Sequence, residues 1–127
     1  MIYGVGHDIV HVSRIGAVLA AYGDRFLRKV FTEEEIRSYG MNRRGEAFLA
    51  KRFAAKEAFG KAMGTGMRAP ATWKAVWITN TAMGKPELNF SDPLREEMRS
   101  MGISQAHVAL SDERDLASAT VILERLA

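Results

Sequence analysis

Three side chains in this sequence have the types and spacing to do chemistry together: Asp8, Glu57 and Lys61. Glu57 and Lys61 stand one helical turn apart in the run from Arg52 to Gly66, RFAAKEAFGKAMGTG. A glutamate four residues before a lysine is the favourable orientation for an exposed ion pair, which contributes roughly 0.2–0.5 kcal/mol. The same spacing also sets a carboxylate beside an ammonium, and a hard cation takes oxygen ligands while a phosphate takes cationic donors. That second use needs another carboxylate, and Asp8 is the candidate. It lies between His7 and Ile9 in an apolar segment, where an ionised group is unfavourable unless it is paired, hydrogen-bonded or metal-bound. Bonds to backbone amides or to an arginine would satisfy it equally, so both uses stay open at this level.

Positioning these groups falls to a helix and a strand. Alanine, lysine, glutamate and phenylalanine predict a long helix starting near Glu46, with Gly64 and Gly66 as its exit. On it Phe48, Ala55, Phe59, Ala62 and Met63 form a core-facing stripe, with Glu57 and Lys61 on the opposite side. Ile2 to Val12, β-branched with Gly4 and Gly6, predicts a strand buried on both faces, in which His7 and His11 alternate away from Asp8.

Ser13 is the expected N-cap of a helix to about Tyr22, and Asp24 that of a short second helix. If the two are nearly collinear, Arg14, Arg25 and Arg28 share one face, either simply solvated or suited to an acidic partner. Thr32 and Glu35 form a capping-box pattern, which makes Glu35 a cap before a catalyst. Strands are expected at Trp73 to Asn80 and Glu87 to Phe90 around the corner Met83-Gly84-Lys85-Pro86. Asp92 and Pro93 should open a helix to about Met101. His107 to Ser111 and Ala117 to Glu124 are the last strands, joined by an acidic turn from Asp112 to Asp115. Paired strands with helices inserted argue an α+β fold: a largely antiparallel sheet packed with a long central helix, one domain over residues 1–127.

With 127 residues and 47% apolar content the chain has the means for an ordinary core, and the absence of cysteine removes disulfides, thiolate metal sites and cysteine nucleophiles. The net charge of +3 favours acidic partners, but no run of five like charges exists. Nonspecific nucleic-acid binding wants a denser stripe. No apolar run approaches a membrane span and no basic leader precedes one, so a cytoplasmic protein without membrane or nucleic-acid partner is expected. Gly60-Lys61 lacks the upstream glycine and following hydroxyl of a P-loop, no GxSxG elbow is present, and the three histidines lack zinc spacing. An enzyme built this way takes its nucleophile from the substrate.

Five motifs then carry a family resemblance: G-x-D at Gly6 to Asp8, F-T-x-x-E at Phe31 to Glu35, K-R-F-A-A-K-E-A at Lys51 to Ala58, K-A-x-G-T-G at Lys61 to Gly66, and G-K-P at Gly84 to Pro86. In this order and spacing the chain closely resembles the holo-[acyl-carrier-protein] synthases, the small bacterial members of the 4′-phosphopantetheinyl transferase superfamily. The resemblance implies transfer of the 4′-phosphopantetheine arm of coenzyme A to a serine of apo acyl carrier protein, with release of adenosine 3′,5′-bisphosphate. It implies Asp8 and Glu57 as Mg²⁺ ligands and Lys61 as a contact to coenzyme A phosphate. It places Gly64, Thr65, Gly66, Lys85 and Pro86 near the nucleotide half of the ligand. Arg14, Arg25 and Arg28 become the docking face for the acidic carrier, and a homotrimer with sites between subunits is implied.

The incoming serine would lose its proton to Glu57 or to a metal-bound water. One departure stands out: where many members read roughly H-V-S-I-S-H, this chain has His107-Val108-Ala109-Leu110-Ser111-Asp112. Loss of that terminal histidine keeps a second reading in view, a noncatalytic trimeric module that binds a nucleotide or an acidic protein. Retention of both Asp8 and Glu57 argues against it.

Overall fold

The computed structural model describes residues 1–126. Its elements run β1 (Ile2–His11), α1 (Val12–Tyr22), α2 (Asp24–Val30), α3 (Glu33–Gly40), α4 (Gly45–Met63), β2 (Val76–Asn80), β3 (Pro86–Phe90), α5 (Asp92–Ser100), β4 (Ile103–Glu113) and β5 (Leu116–Arg125). All strand pairs are antiparallel, in one sheet of order β1-β5-β4 and one β2-β3 hairpin. The α+β architecture with a long central helix is the one the sequence pattern predicts.

Two glycines bring the central helix onto the sheet. A Cβ on Gly4 would lie 2.0 Å from the carbonyl oxygen of Ala62, and one on Gly6 would lie 1.8 Å from that of Ala58. The backbones of β1 and α4 therefore meet with no side chain between them, and Ala54, Ala55 and Ala58 are fully buried along the helix. Opposite the sheet, α4 is covered by α1, α3 and β2, which contact it as well. The expected division into a core stripe and a solvated Glu57–Lys61 side is thus too simple, because the helix runs through the middle of the molecule.

Strand β1 is covered on one face only. Gly6 and Val10 point to α4, while Val5 and Ile9 remain 57% and 58% exposed. The expectation of burial on both faces fails because, among the described residues, the face of β1 that bears Val5 and Ile9 is left open.

Several element ends differ from the sequence reading. Ser13 does not cap α1, which begins at Val12; its N–H and hydroxyl both donate to Asp115 at 2.8 Å, so the helix start is held from the β4–β5 turn. Gly23 (φ 51°, ψ −127°) precedes Asp24 as the N-cap of α2 and breaks any collinear rod. Ser91, ahead of Asp92, caps α5. Trp73 lies before β2 and stacks on Phe53, with ring centroids 5.3 Å apart. Strands β4 and β5 are longer than expected, leaving a tight turn at Arg114, whose φ is 54°. The Thr32–Glu35 capping box forms as predicted.

Gly6→Ala should destabilise the protein at or above the roughly 1–3 kcal/mol typical of overpacking, since a backbone carbonyl cannot rotate away as a side chain can. Gly40→Ala, with open space around its Cβ position, should not. Denaturant unfolding of both variants checks this, and equal stability of the two would contradict the close contact.

Candidate active site at the strand–helix contact

Asp8 falls on the α4 side of β1, two residues beyond Gly6, and its side chain is 18% exposed. The Lys61 ammonium donates to Asp8 Oδ1 at 3.1 Å and to the His7 carbonyl at 3.0 Å. Among the described residues Lys61 forms no ion pair with Glu57: the strand carboxylate takes the lysine that helical spacing offers to the glutamate.

Glu57 is half-buried one turn earlier on α4. Burial first, and the charge of Asp8 second, push its carboxyl above the ordinary carboxylate range, while Lys61 and Arg14 pull it back. Asp8, Glu57, Lys61 and Arg14 therefore share one electrostatic neighbourhood. A carboxylate whose charge is disfavoured by burial and by a second carboxylate, with the one lysine engaged on that second group, suits a divalent cation with hard-oxygen preference. Among the described residues no third histidine, cysteine or acidic group completes a cage. Such an open donor set fits Mg²⁺, which keeps coordination positions for water and phosphate oxygens.

The glycine-rich exit folds back over this helix end. Gly64 takes φ 82° at the C-cap, and Gly66 (φ 66°) donates to the Gly60 carbonyl at 3.0 Å. A Cβ on Gly60 would be tight, standing 3.0 Å from the Gly66 carbonyl carbon. Gly64 and Thr65 then line a cavity of about 420 Å³ with Arg68, Ala69 and Met101.

Lys85 and Pro86 sit at the β2–β3 turn and, among the described residues, make no hydrogen bond or ion pair to Asp8, Glu57 or Lys61. Their link to α4 is indirect: Arg52 donates to Asn80 Oδ1 at 2.9 Å, and the Asn80 amide donates to the Gly84 carbonyl at 3.1 Å. Arg14, Arg25 and Arg28 are all exposed. Arg14 acts on Glu57, whereas Arg28 lines a separate hollow with Phe31, Arg37 and Lys74.

Three groups have roles that sequence reasoning missed. Arg52 is buried with its guanidinium over Phe48 and with Nε lacking a partner. Lys56 is buried against Glu35, which lowers its proton affinity through desolvation while Glu35 partly restores it. Asp112, the departure from the family pattern, is 15% exposed and bridged by Arg44 at 3.1 Å and Lys51 at 3.0 Å. The available signal was an arginine and a lysine four apart among alanines, a like-charge spacing that is unfavourable on an exposed helix and points to counterions elsewhere.

An α+β chain of this topology, with a strand aspartate facing a helix Glu-x-x-x-Lys, belongs to the 4′-phosphopantetheinyl transferase superfamily, whose model matches residues 4–119. Within it, the chain is similar to proteins named holo-[acyl-carrier-protein] synthase. That of Nitrosospira multiformis is 46% identical over 98% of this chain and 100% of its own length. The crystal structure of the Neisseria meningitidis synthase superposes with a TM-score of 0.95 at 39% identity, covering 98% of this chain and 100% of that one. A Bacillus anthracis synthase in complex with CoA (3′,5′-ADP) gives 0.83 at 33% identity, covering 99% of both chains. The family resemblance carried by the five motifs is borne out.

The raised Glu57 value has a defined sign for stability. At low pH both native and unfolded chains hold the proton and the group is neutral; as pH rises the unfolded chain ionises first and the fold loses stability until the native value is passed. Glu57→Gln should therefore raise the thermal midpoint of the metal-free protein at neutral pH and leave it unchanged at pH 3. A midpoint lowered at neutral pH would contradict the placement of Glu57 beside Asp8.

Proposed function

We propose that this chain transfers 4′-phosphopantetheine from coenzyme A to a serine hydroxyl of an apo acyl carrier protein, releasing adenosine 3′,5′-bisphosphate. The observation that carries the reading is the facing of Asp8 and Glu57 across the β1–α4 contact, with Lys61 donating to Asp8. The superfamily membership and the similarity to holo-[acyl-carrier-protein] synthases over nearly the whole chain support it.

In the reaction the serine oxygen forms a bond to the phosphorus that bears the pantetheine arm, and the bond from that phosphorus to the bridging oxygen breaks. The electron pair leaves on the nucleotide. Asp8 and Glu57 are the residues that would hold Mg²⁺, which when bound supplies charge neutralisation on the pyrophosphate. Lys61 turns its ammonium from the Asp8 side to a nonbridging oxygen, adding a donor where charge develops. Glu57 is the carboxylate assigned here to receive the serine proton. Gly64, Thr65 and Gly66 present backbone and hydroxyl groups to the nucleotide half.

Arg14, Arg25 and Arg28 receive the acidic carrier, with Arg14 adjacent to Glu57 so that docking delivers the serine to the site. The open sheet face with exposed Val5, Ile9 and Leu116 supports a homotrimer, in which that apolar surface is covered. Lys85 and Pro86, which make no hydrogen bond to Asp8, Glu57 or Lys61 among the described residues, then belong to a pocket completed between subunits.

Intact mass spectrometry of a bacterial apo acyl carrier protein tests the reading. Incubation with this protein, coenzyme A and Mg²⁺ should add one phosphopantetheine, and excess chelator should abolish the gain. No gain with magnesium, while a known synthase succeeds in parallel, would favour the noncatalytic binding module.

A further inference from the structure

The Lys56 ammonium is a buried charge with its donors fully engaged. Its side chain is 0% exposed and it donates to Glu35 Oε1 at 2.8 Å, to the Val30 carbonyl at 2.9 Å and to the Trp73 carbonyl at 2.7 Å. Those three bonds use every proton an ammonium has. Glu35, 1% exposed, also accepts from the Thr32 N–H at 3.1 Å and, through Oε2, from the Ile78 N–H at 3.2 Å. One buried pair thus ties α4 to the end of α2, to the cap of α3, to the segment entering β2 and to β2 itself. Glu35 is the N-terminal cap that the sequence suggests, and it is a counterion as well.

We infer that the Lys56–Glu35 pair is a positioning lock that sets the roll of α4 and thereby aims Glu57 at Asp8. Consecutive side chains on a helix diverge by about 100°, so anchoring Lys56 toward α2, α3 and β2 turns Glu57 toward β1. The contact of Gly4 and Gly6 with the Ala62 and Ala58 carbonyls fixes how near the helix lies and which side of it meets β1. Lys56 pins the opposite side of the helix against roll, since its three acceptors come from three separate segments. A buried ion pair is often no more stabilising than apolar residues of the same volume, so stability alone does not account for choosing charge here. The same lock joins α2, which bears Arg25 and Arg28, to the helix that bears Glu57 and Lys61. Lys56 and Glu35 touch no reacting atom in this scheme; they act through Glu57.

The inference rests on the transferase reading, and its test separates the two. Lys56→Met alone leaves the Glu35 charge orphaned, so the informative variant is Lys56→Met with Glu35→Gln, neutral and similar in volume. On folded protein, verified by its unfolding transition, the double variant should keep KM for coenzyme A and for carrier within about threefold of wild type. Its kcat should fall roughly 10- to 100-fold, as expected for misplacement of a catalytic group by about 1 Å. Lys56→Arg keeps the charge but cannot meet the same three acceptors, and it should lose kcat in the same way, serving also where the double variant does not fold. A kcat within about twofold of wild type, or a rise in carrier KM alone, would overturn the lock and leave the pair a core feature. Should the wild-type protein itself transfer nothing, the transferase reading fails, and crystal structures of the variants judge the lock on geometry. Glu57 displaced from Asp8 sustains it, and Glu57 unmoved overturns it.

Discussion

Where Gly6 of β1 passes Ala58 of α4 there is no room for a carbon atom between strand and helix, and the same holds one helical turn on, where Gly4 passes Ala62. This backbone-to-backbone seat sets the distance between the element that carries Asp8 and the one that carries Glu57 and Lys61. Asp8 then lies on the α4 side of its strand because side chains in a strand alternate with period two. The rest of the molecule maintains the seat: β5 pairs along β1 with Ala117, Ala119 and Val121 facing the helix, and alanines on α4 let the layers close.

Charge placement follows from the same enclosure. A helix surrounded on most sides cannot leave its polar groups in water, so each finds a partner or stands out energetically. Lys56 finds Glu35 and two carbonyls, Arg52 finds Asn80 and the Phe48 ring, and Lys51 shares Asp112 with Arg44. Glu57 has no hydrogen-bond or ion-pair partner among the described residues, and burial with the Asp8 charge presses it toward its neutral form. A carboxylate left in that condition beside a second one is a place where a cation and a phosphate ligand bring relief, which is how a structural arrangement becomes a chemical one. Asp112 shows the opposite outcome: with two cations on it, its charge is spent on holding the start of α4 to β4.

How much of this was legible in the sequence depends on whether the cause was local. The long helix, the Thr32–Glu35 box and the Gly64–Gly66 exit follow from nearby residues, and they form where expected. Asp8 stood out because an ionisable residue in an apolar strand demands a partner. Spacing offered Lys61 an ion pair with Glu57, but spacing along a helix says nothing about a strand 53 residues away, where Asp8 takes the lysine. Ser13 has the chemistry of a cap, yet Asp115, 102 residues distant, takes its hydrogen bonds. Gly4 and Gly6 were visible as strand glycines, but not as the seat of a helix, since the packing partner is set by topology. Lys56 resembled any good helix former, and only the burial of Glu35 reveals that the two belong together.

The measurement that bears most directly on the account is paramagnetic broadening of the side-chain carboxyl carbons by Mn²⁺ in the presence of coenzyme A. If the β1–α4 seat brings two ligands to one ion, substoichiometric Mn²⁺ should broaden the Asp8 and Glu57 carboxyl signals together and leave the Glu35 and Asp112 signals sharp. Broadening of only one of the pair, or of neither, would show that they do not share an ion and would contradict the central claim.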